Sequence, residues 1–309
     1  MKKHDVLVIG DINVDIIVTG MEKLPEPGQE KYVDDIELNV GGGAALCALG
    51  LARLGSDVAL FGNIGRDHYG RFITEILKKA GVATYLIVKD RKSSTGISIA
   101  LSSKKDRAFI TSVGSNFHVD MKDIPDEAFG EISHIHIAGY KSEINHDRYA
   151  AFLKRLEGSG ITVSLDIGWD ESGEWDKKLF KLVEKVDVFF LNEAEASNYC
   201  GTHDMDACLD RISKYCNEVI IKMGSKGALG LKNGEKLYCD TFPVELVDTT
   251  GAGDSFNAGY LYGWINKMDF VTCMNYGNAC GALSTTMRGG SAAFPDRAVM
   301  LSIIDRGVK

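Results

Sequence analysis

Short apolar runs and longer amphipathic stretches alternate along most of this chain. DVLVIG at 5–10 is an apolar run closed by a glycine, which predicts a buried strand. DINVDIIV at 11–18 continues in extended character, and EKYVDDIELNV at 30–40 alternates polar and apolar positions, as one or two half-exposed strands do. GGGAALCALGLARLG at 41–55 opens with three glycines and runs on at helical spacing through Ala45, Leu49, Ala52 and Arg53. VALFGNIG at 58–65 reads as a strand and turn. Residues 67–81 predict an amphipathic helix whose apolar face is Phe72, Ile73, Ile76 and Leu77.

The rhythm changes at TYLIVKD (84–90) and GISIALSSKKDRAFITSVG (96–114), where alternating strands surround a charged hairpin tip. Parts of 12–40 and 84–111 are therefore expected to form a small sheet apart from the main one, read as a lid; the alternative is an extension of the main sheet. From 130 onward, strands at 132–139, 162–168 and 186–192 and a strand–glycine turn–strand unit at 218–234 alternate with helices at 145–158, 175–184, from 193, and at 204–216. That series predicts one α/β domain over 1–309, with a mostly parallel sheet covered by helices. Its functional sites should lie beyond the carboxyl ends of the strands.

Composition narrows the function classes. The chain has 309 residues, 45% of them hydrophobic, which suffices for one large core. Its 34 glycines are clustered, as in ligand sites built from backbone. A net charge of −8 with dispersed Lys and Arg argues against nucleic acid as a partner and leaves a small-molecule substrate. No window of ~18 apolar residues free of charge suggests a membrane span, and MKKHDVLVIG is too short for an export signal. The seven cysteines are odd in number and lack a CxxC pair, which leads us to expect a reducing, cytoplasmic setting. The eight-residue spacing of Cys200, Cys208 and Cys216 fits no zinc-site pattern.

The candidate chemistry sits in DTTGAGDSFNAG at 248–259. It reads either as a glycine-rich turn with Asp254 capping a helix, or as an anion site in which N–H groups meet phosphate and Asp254 takes a proton. No GxxxxGK[ST] loop and no protein-kinase HRD or DFG set occurs in the chain.

DTTGAGDSFNAG resembles the C-terminal signature of the ribokinase, or PfkB-type carbohydrate kinase, family. GGGAALCALGLARLG followed by GNIGRDHYG (62–70) resembles its N-terminal signature. GDINVD (10–15), NEAE (192–195), KMGSKGA (222–228) and RGGSAAFP (288–295) extend the likeness, in order, over nearly the whole chain. The resemblance implies a ribokinase-like three-layer α/β/α fold with a small β-sheet lid. It also implies an ATP- and Mg2+-dependent phosphotransferase acting on a primary alcohol of a small sugar or sugar-like acceptor.

By the same resemblance Asp254 is the general base, and Gly251, Ala252 and Gly253 form the anion hole. Asn192 and Glu195 match an NxxE motif that helps hold magnesium and phosphates, Glu195 in part through water. Lys222, Gly224, Lys226 and Gly227 lie near nucleotide, and Asn278 flanks the adenine. Asp248 and Thr250 match a monovalent-cation site of potassium-activated members. Asn13, Asp15, Gly41 and Gly42 match the acceptor site, but Leu46 stands where the family commonly has Asn. That departure favours an apolar edge on the acceptor and keeps a nucleoside kinase as the alternative. Gly168, following Asp166, likewise departs from the family's DPN-like segment. An inactive, ligand-binding relative is a third reading, opposed by the intact Asp254 and NxxE acids. Exposed lid strands suggest a homodimer through the lid.

Overall fold

The computed structural model describes residues 4–307 apart from 22, 103–106, 141 and 171. The elements run β1 (His4–Ile9), β2 (Asn13–Thr19), β3 (Asp35–Gly41), α1 (Gly43–Leu54), β4 (Val58–Phe61), β5 (Asn63–Gly65), α2 (His68–Lys79), β6 (Val88–Asp90), β7 (Gly96–Ser102) and β8 (Arg107–Ser112). They continue with α3 (Asp126–Phe129), β9 (Ile132–Tyr140), α4 (Ser142–Leu156), β10 (Thr162–Ile167), α5 (Phe180–Val183), β11 (Val188–Asn192), α6 (Glu193–Cys200), α7 (Met205–Ile212) and β12 (Glu218–Lys222). The chain ends in β13 (Ala228–Lys232), β14 (Glu235–Cys239), α8 (Ala252–Ile265), α9 (Phe270–Ser284) and α10 (Arg297–Gly307).

The main sheet has the order β14-β13-β12-β11-β10-β9-β1-β4. It is parallel from β4 through β12 and antiparallel across β13 and β14. Its parallel strands are buried on both faces, which is why they read as near-continuous apolar runs. Leu7, Ile9, Ile135, Leu165, Phe189 and Ile221 pack on one side with α4, α5, α6 and α7. Val6, Val8, Leu60, Phe190 and Ile220 pack on the other with α1, α2, α8 and α9. The histidines of SHIHI are tolerated within this core because Ser164 meets both His134 and His136, at 2.8 Å each.

The chain leaves the main sheet after Ile9 and starts a second one, of order β3-β2-β7-β8. This small sheet draws on 13–19 and 35–41, and on 96–102 and 107–112. Residues 84–90 do not join it: β6 pairs with β5 in a separate two-stranded ribbon. Most of the charged tip between β7 and β8 lies outside the described residues. The helix expected over 175–184 is reduced to a 3-10 turn and the short α5. The buried Asp170 carboxylate accepts from Ser172 N, Ser172 Oγ and Trp175 N, so the chain is held as a loop up to that point.

Candidate active site

α8 starts beyond the carboxyl ends of the parallel strands, as expected for a site in this fold class. Gly251 caps it in the left-handed region at φ 72°, and a Cβ there would collide with the Gly290 carbonyl. The Ala252 N–H turns back to Thr249 O at 3.2 Å. The N–H groups of Gly253 and Asp254 have no partner among the described residues. The sequence reading had included Ala252 in the anion hole. Asp254 is half-buried, and its Oδ1 faces the start of α1, where a Cβ on Gly43 would lie 3.1 Å away. Burial, then the charge of Asp166, with smaller parts from Asp15 and Glu195, push the Asp254 carboxyl up to about 7 against the opposing pull of Lys222.

Beneath Asp254 lies a polar trio. The Lys222 ammonium donates to both Asp166 oxygens at 2.9 and 3.0 Å and to Asn257 Oδ1 at 3.3 Å, and Asn257 Nδ2 donates to Asp166 at 2.6 Å. Burial opposes the lysine's charge, but Asp166, Glu195 and Asp254 outweigh it and raise its pKa. Asn257 was missed in the sequence, although its place one helical turn after Asp254 was the available signal.

On the acceptor side, glycines make room for polar side chains. Asn13 is paired across the small sheet with Gly41 on one flank and Gly96 on the other. A Cβ at Gly41 would overlap the Asp15 carboxylate, and one at Gly96 would overlap Asn13 Oδ1. Gly42 has φ 86°, and a Cβ on it would strike the Asp11 backbone. Asn116, also missed, donates to Asn13 Oδ1 at 2.5 Å and accepts from Ile12 N at 3.0 Å, so it fixes the loop carrying Asn13. Burial, then Asp248, raises the Asp15 carboxyl to about 7. Leu46, matched to the acceptor site by resemblance, lies in the core. It is 3% exposed and packs from α1 against Gly290.

The donor side is a cavity of about 400 Å³. Lys222, Gly224, Gly227, Ala252, Gly253 and Asn278 line it, together with an apolar wall from Phe242, Pro243, Val244, Leu246 and Phe256 that the sequence reading had not singled out. Asn278 Nδ2 donates to Cys239 O and Asp240 O at 3.0 and 3.2 Å, which fastens the end of β14 to α9 beside the cavity. The Lys226 ammonium pairs with Glu193 at 2.8 Å, outside the residues that line this cavity. Asn192 and Glu195 form a reciprocal cap at the start of α6, at 2.9 and 2.8 Å. Burial, then Asp166, raises Glu195 to about 7.

Residues 3–297 match the pfkB family carbohydrate kinases. The chain belongs to this family. It is 27% identical to the fructokinase of Vibrio alginolyticus, over 97% of this chain and 99% of that one. It is 29% identical to an ATP-dependent ribose-1-phosphate kinase of Halopiger xanaduensis, over 97% and 98%. The Arabidopsis thaliana ribokinase structure, complexed with ribose and ATP, shares the fold at a TM-score of 0.86 and 24% identity, covering 98% of this chain and 99% of that one.

Two ion questions remain in this pfkB kinase. Among the described residues no group of three or more His, Cys, Asp or Glu could hold a metal by itself. Glu195, one oxygen of which is engaged in the cap, fits magnesium only in that ion's usual mode beside phosphates, with one or two carboxylates and water. Asp248 works as a staple: it accepts from Thr250 N, Thr250 Oγ1 and Gly289 N at 2.9, 2.8 and 3.0 Å, and so joins the 248–251 turn to the loop beneath it.

Proposed function

We propose that this carbohydrate kinase moves the γ-phosphate of ATP to a primary alcohol of a small sugar, with Asp254 as general base. One observation carries the reading: Asp254 stands where the two sides meet. Its chain neighbour Gly253 lines the donor cavity, while its own carboxylate faces Gly43, next to Gly41 and Gly42 of the acceptor side. Asp254 takes the hydroxyl proton as that oxygen bonds to the γ-phosphorus and the bond to the β-phosphate oxygen breaks. The free N–H groups of Gly253 and Asp254 meet charge on the transferring phosphoryl group. A carboxyl held at about 7 is a base matched to neutral pH. Magnesium, when bound near Glu195, supplies charge neutralisation on the phosphates.

Asp15, Asn13 and the small sheet hold the acceptor. Asn39, Asp15, Ser98 and Thr111 are directly opposed across the four strands, so they share one face. That polar row suits the hydroxyls of a sugar better than a nucleobase. The other face carries Ile16, Leu38, Ile99 and Ile110 in register, with Leu38 and Ile110 exposed, which supports a homodimer through the lid. Sedimentation as a monomer at assay concentration would remove the dimer. Carbonyls of the 288–291 loop with Asp248 supply hard donors for potassium. Equal turnover in sodium and potassium at constant ionic strength would remove that site.

The test of the function is ADP release with D-ribose, D-fructose, ribose 1-phosphate, 5-dehydro-2-deoxygluconate and adenosine. Turnover on a sugar well above adenosine is expected. Preference for adenosine, or no turnover on any of them, would contradict the reading.

A further inference from the structure

On the acceptor-facing side of the small sheet, one polar group is left over. Asn39 on β3 lies directly opposite Asp15 on β2. Its Nδ2 is buried and has no hydrogen-bond partner among the described residues. A buried donor left unmade is costly, and native chains retain one where something else supplies the acceptor. The amide lies flat on Gly289: a Cβ there would come within 2.9 Å of Asn39 Cγ, Nδ2 and Oδ1 alike. Gly289 in turn donates its N–H to Asp248. The amide thus sits between two acids, Asp15 beside it on the sheet and Asp248 beyond Gly289.

We infer that Asn39 is a specificity-determining residue whose amide donates to a hydroxyl of the acceptor. The inference rests on the sugar-kinase reading above. Carboxylates accept and an amide N–H donates, so the ligand group that satisfies Asp15 and Asn39 together must do both. A hydroxyl does; an apolar edge or a ring nitrogen without hydrogen does not. The residue type fits its neighbours as well. A carboxylate at position 39 would add a third negative charge beside Asp15 and Asp248, while leucine would leave both acids facing an apolar side chain.

The experiment uses the full-length protein and whichever sugar of the panel it phosphorylates, with that sugar's monodeoxy analogues. Asn39→Ala should raise the sugar's KM about 5–30-fold while kcat stays within about threefold and the ATP KM does not move. Asn39→Asp has the same shape, should fold even if the alanine variant does not, and should raise the sugar's KM more. One monodeoxy analogue should behave differently from the rest: wild type and Asn39→Ala should handle it equally, because the hydroxyl read by the amide is absent. An unchanged sugar KM in both variants would overturn the inference. So would an equal loss on every deoxy analogue, which marks a structural role only. If wild type phosphorylates no sugar, the functional reading itself fails and the inference falls with it.

Discussion

The proposed donor and acceptor sides of this kinase are built on different principles. The donor cavity is made mostly by the C-terminal half, from glycines, apolar side chains and polar groups already engaged within the protein, such as the Asn278 amide. The proposed acceptor side draws on the N-terminal strands, with Asn13, Asp15 and Asn39 set among glycines that leave them space. A nucleotide can be held by shape and backbone, whereas a sugar is told from its isomers by hydroxyls, which need side chains as partners. Asp254 is the point at which the two constructions touch.

The largest effect should come from that point. Asp254→Asn should lower kcat by about 10³–10⁴-fold, because it removes the proton acceptor and loosens the aim of the acceptor hydroxyl. Steady-state ADP release measures it. A purely structural role for Asp254 in the first turn of α8, where Gly251 is the cap, predicts near-normal turnover instead.

The next effects should separate the two sides. Asp15→Asn should lower kcat/KM for the sugar by about 10–100-fold through a lost charge-assisted hydrogen bond, with the ATP KM unchanged. Ala282→Phe, which places a ring in the donor cavity, should raise the ATP KM by about tenfold or more and leave the sugar KM alone. Initial rates with each substrate varied in turn would show this crossed pattern. If both variants moved both constants together, the division between the sides would be wrong.

How much of this was legible in the sequence follows the same division. The parallel sheet was readable because its strands are apolar on both faces, and the glycine-capped start of α8 because GAGD leaves little but backbone. The side-chain partnerships were not. Lys222 reads as a nucleotide contact from its motif, yet it forms an ion pair with Asp166, and 56 positions along the chain separate the two. Leu46 reads as an acceptor contact by correspondence, yet packing against Gly290 buries it. Asn39 carries no motif; only the β2–β3 register sets it opposite Asp15. The 84–90 strand alternates as a lid strand would, but its pairing with β5 is decided by where α2 returns the chain.

A smaller effect is expected in stability. Asp15, Glu195 and Asp254 all have carboxyls raised to about 7 in the fold, above the usual carboxylate values near 4. The folded state therefore binds these protons more tightly than the unfolded chain. Their stabilising contribution is full below about pH 4 and is lost as pH rises through about 7. Asp15→Asn should consequently raise the melting temperature of the ligand-free protein by about 2 °C or more at pH 8, and by less at pH 5.5. Calorimetry at the two pH values checks the sign, and a variant less stable than wild type at pH 8 would contradict it.

The central claim is that Asp254 acts on the acceptor's proton and not on holding the donor. Calorimetric titration of ATP with magnesium into the Asp254→Asn protein, without sugar, tests it most directly. The account predicts an affinity within about threefold of wild type, or somewhat tighter because one negative charge beside the phosphates is gone, in a protein that has lost turnover. A loss of ATP affinity as large as the loss of turnover would contradict it, because Asp254 would then be part of the donor site and not the base between the two.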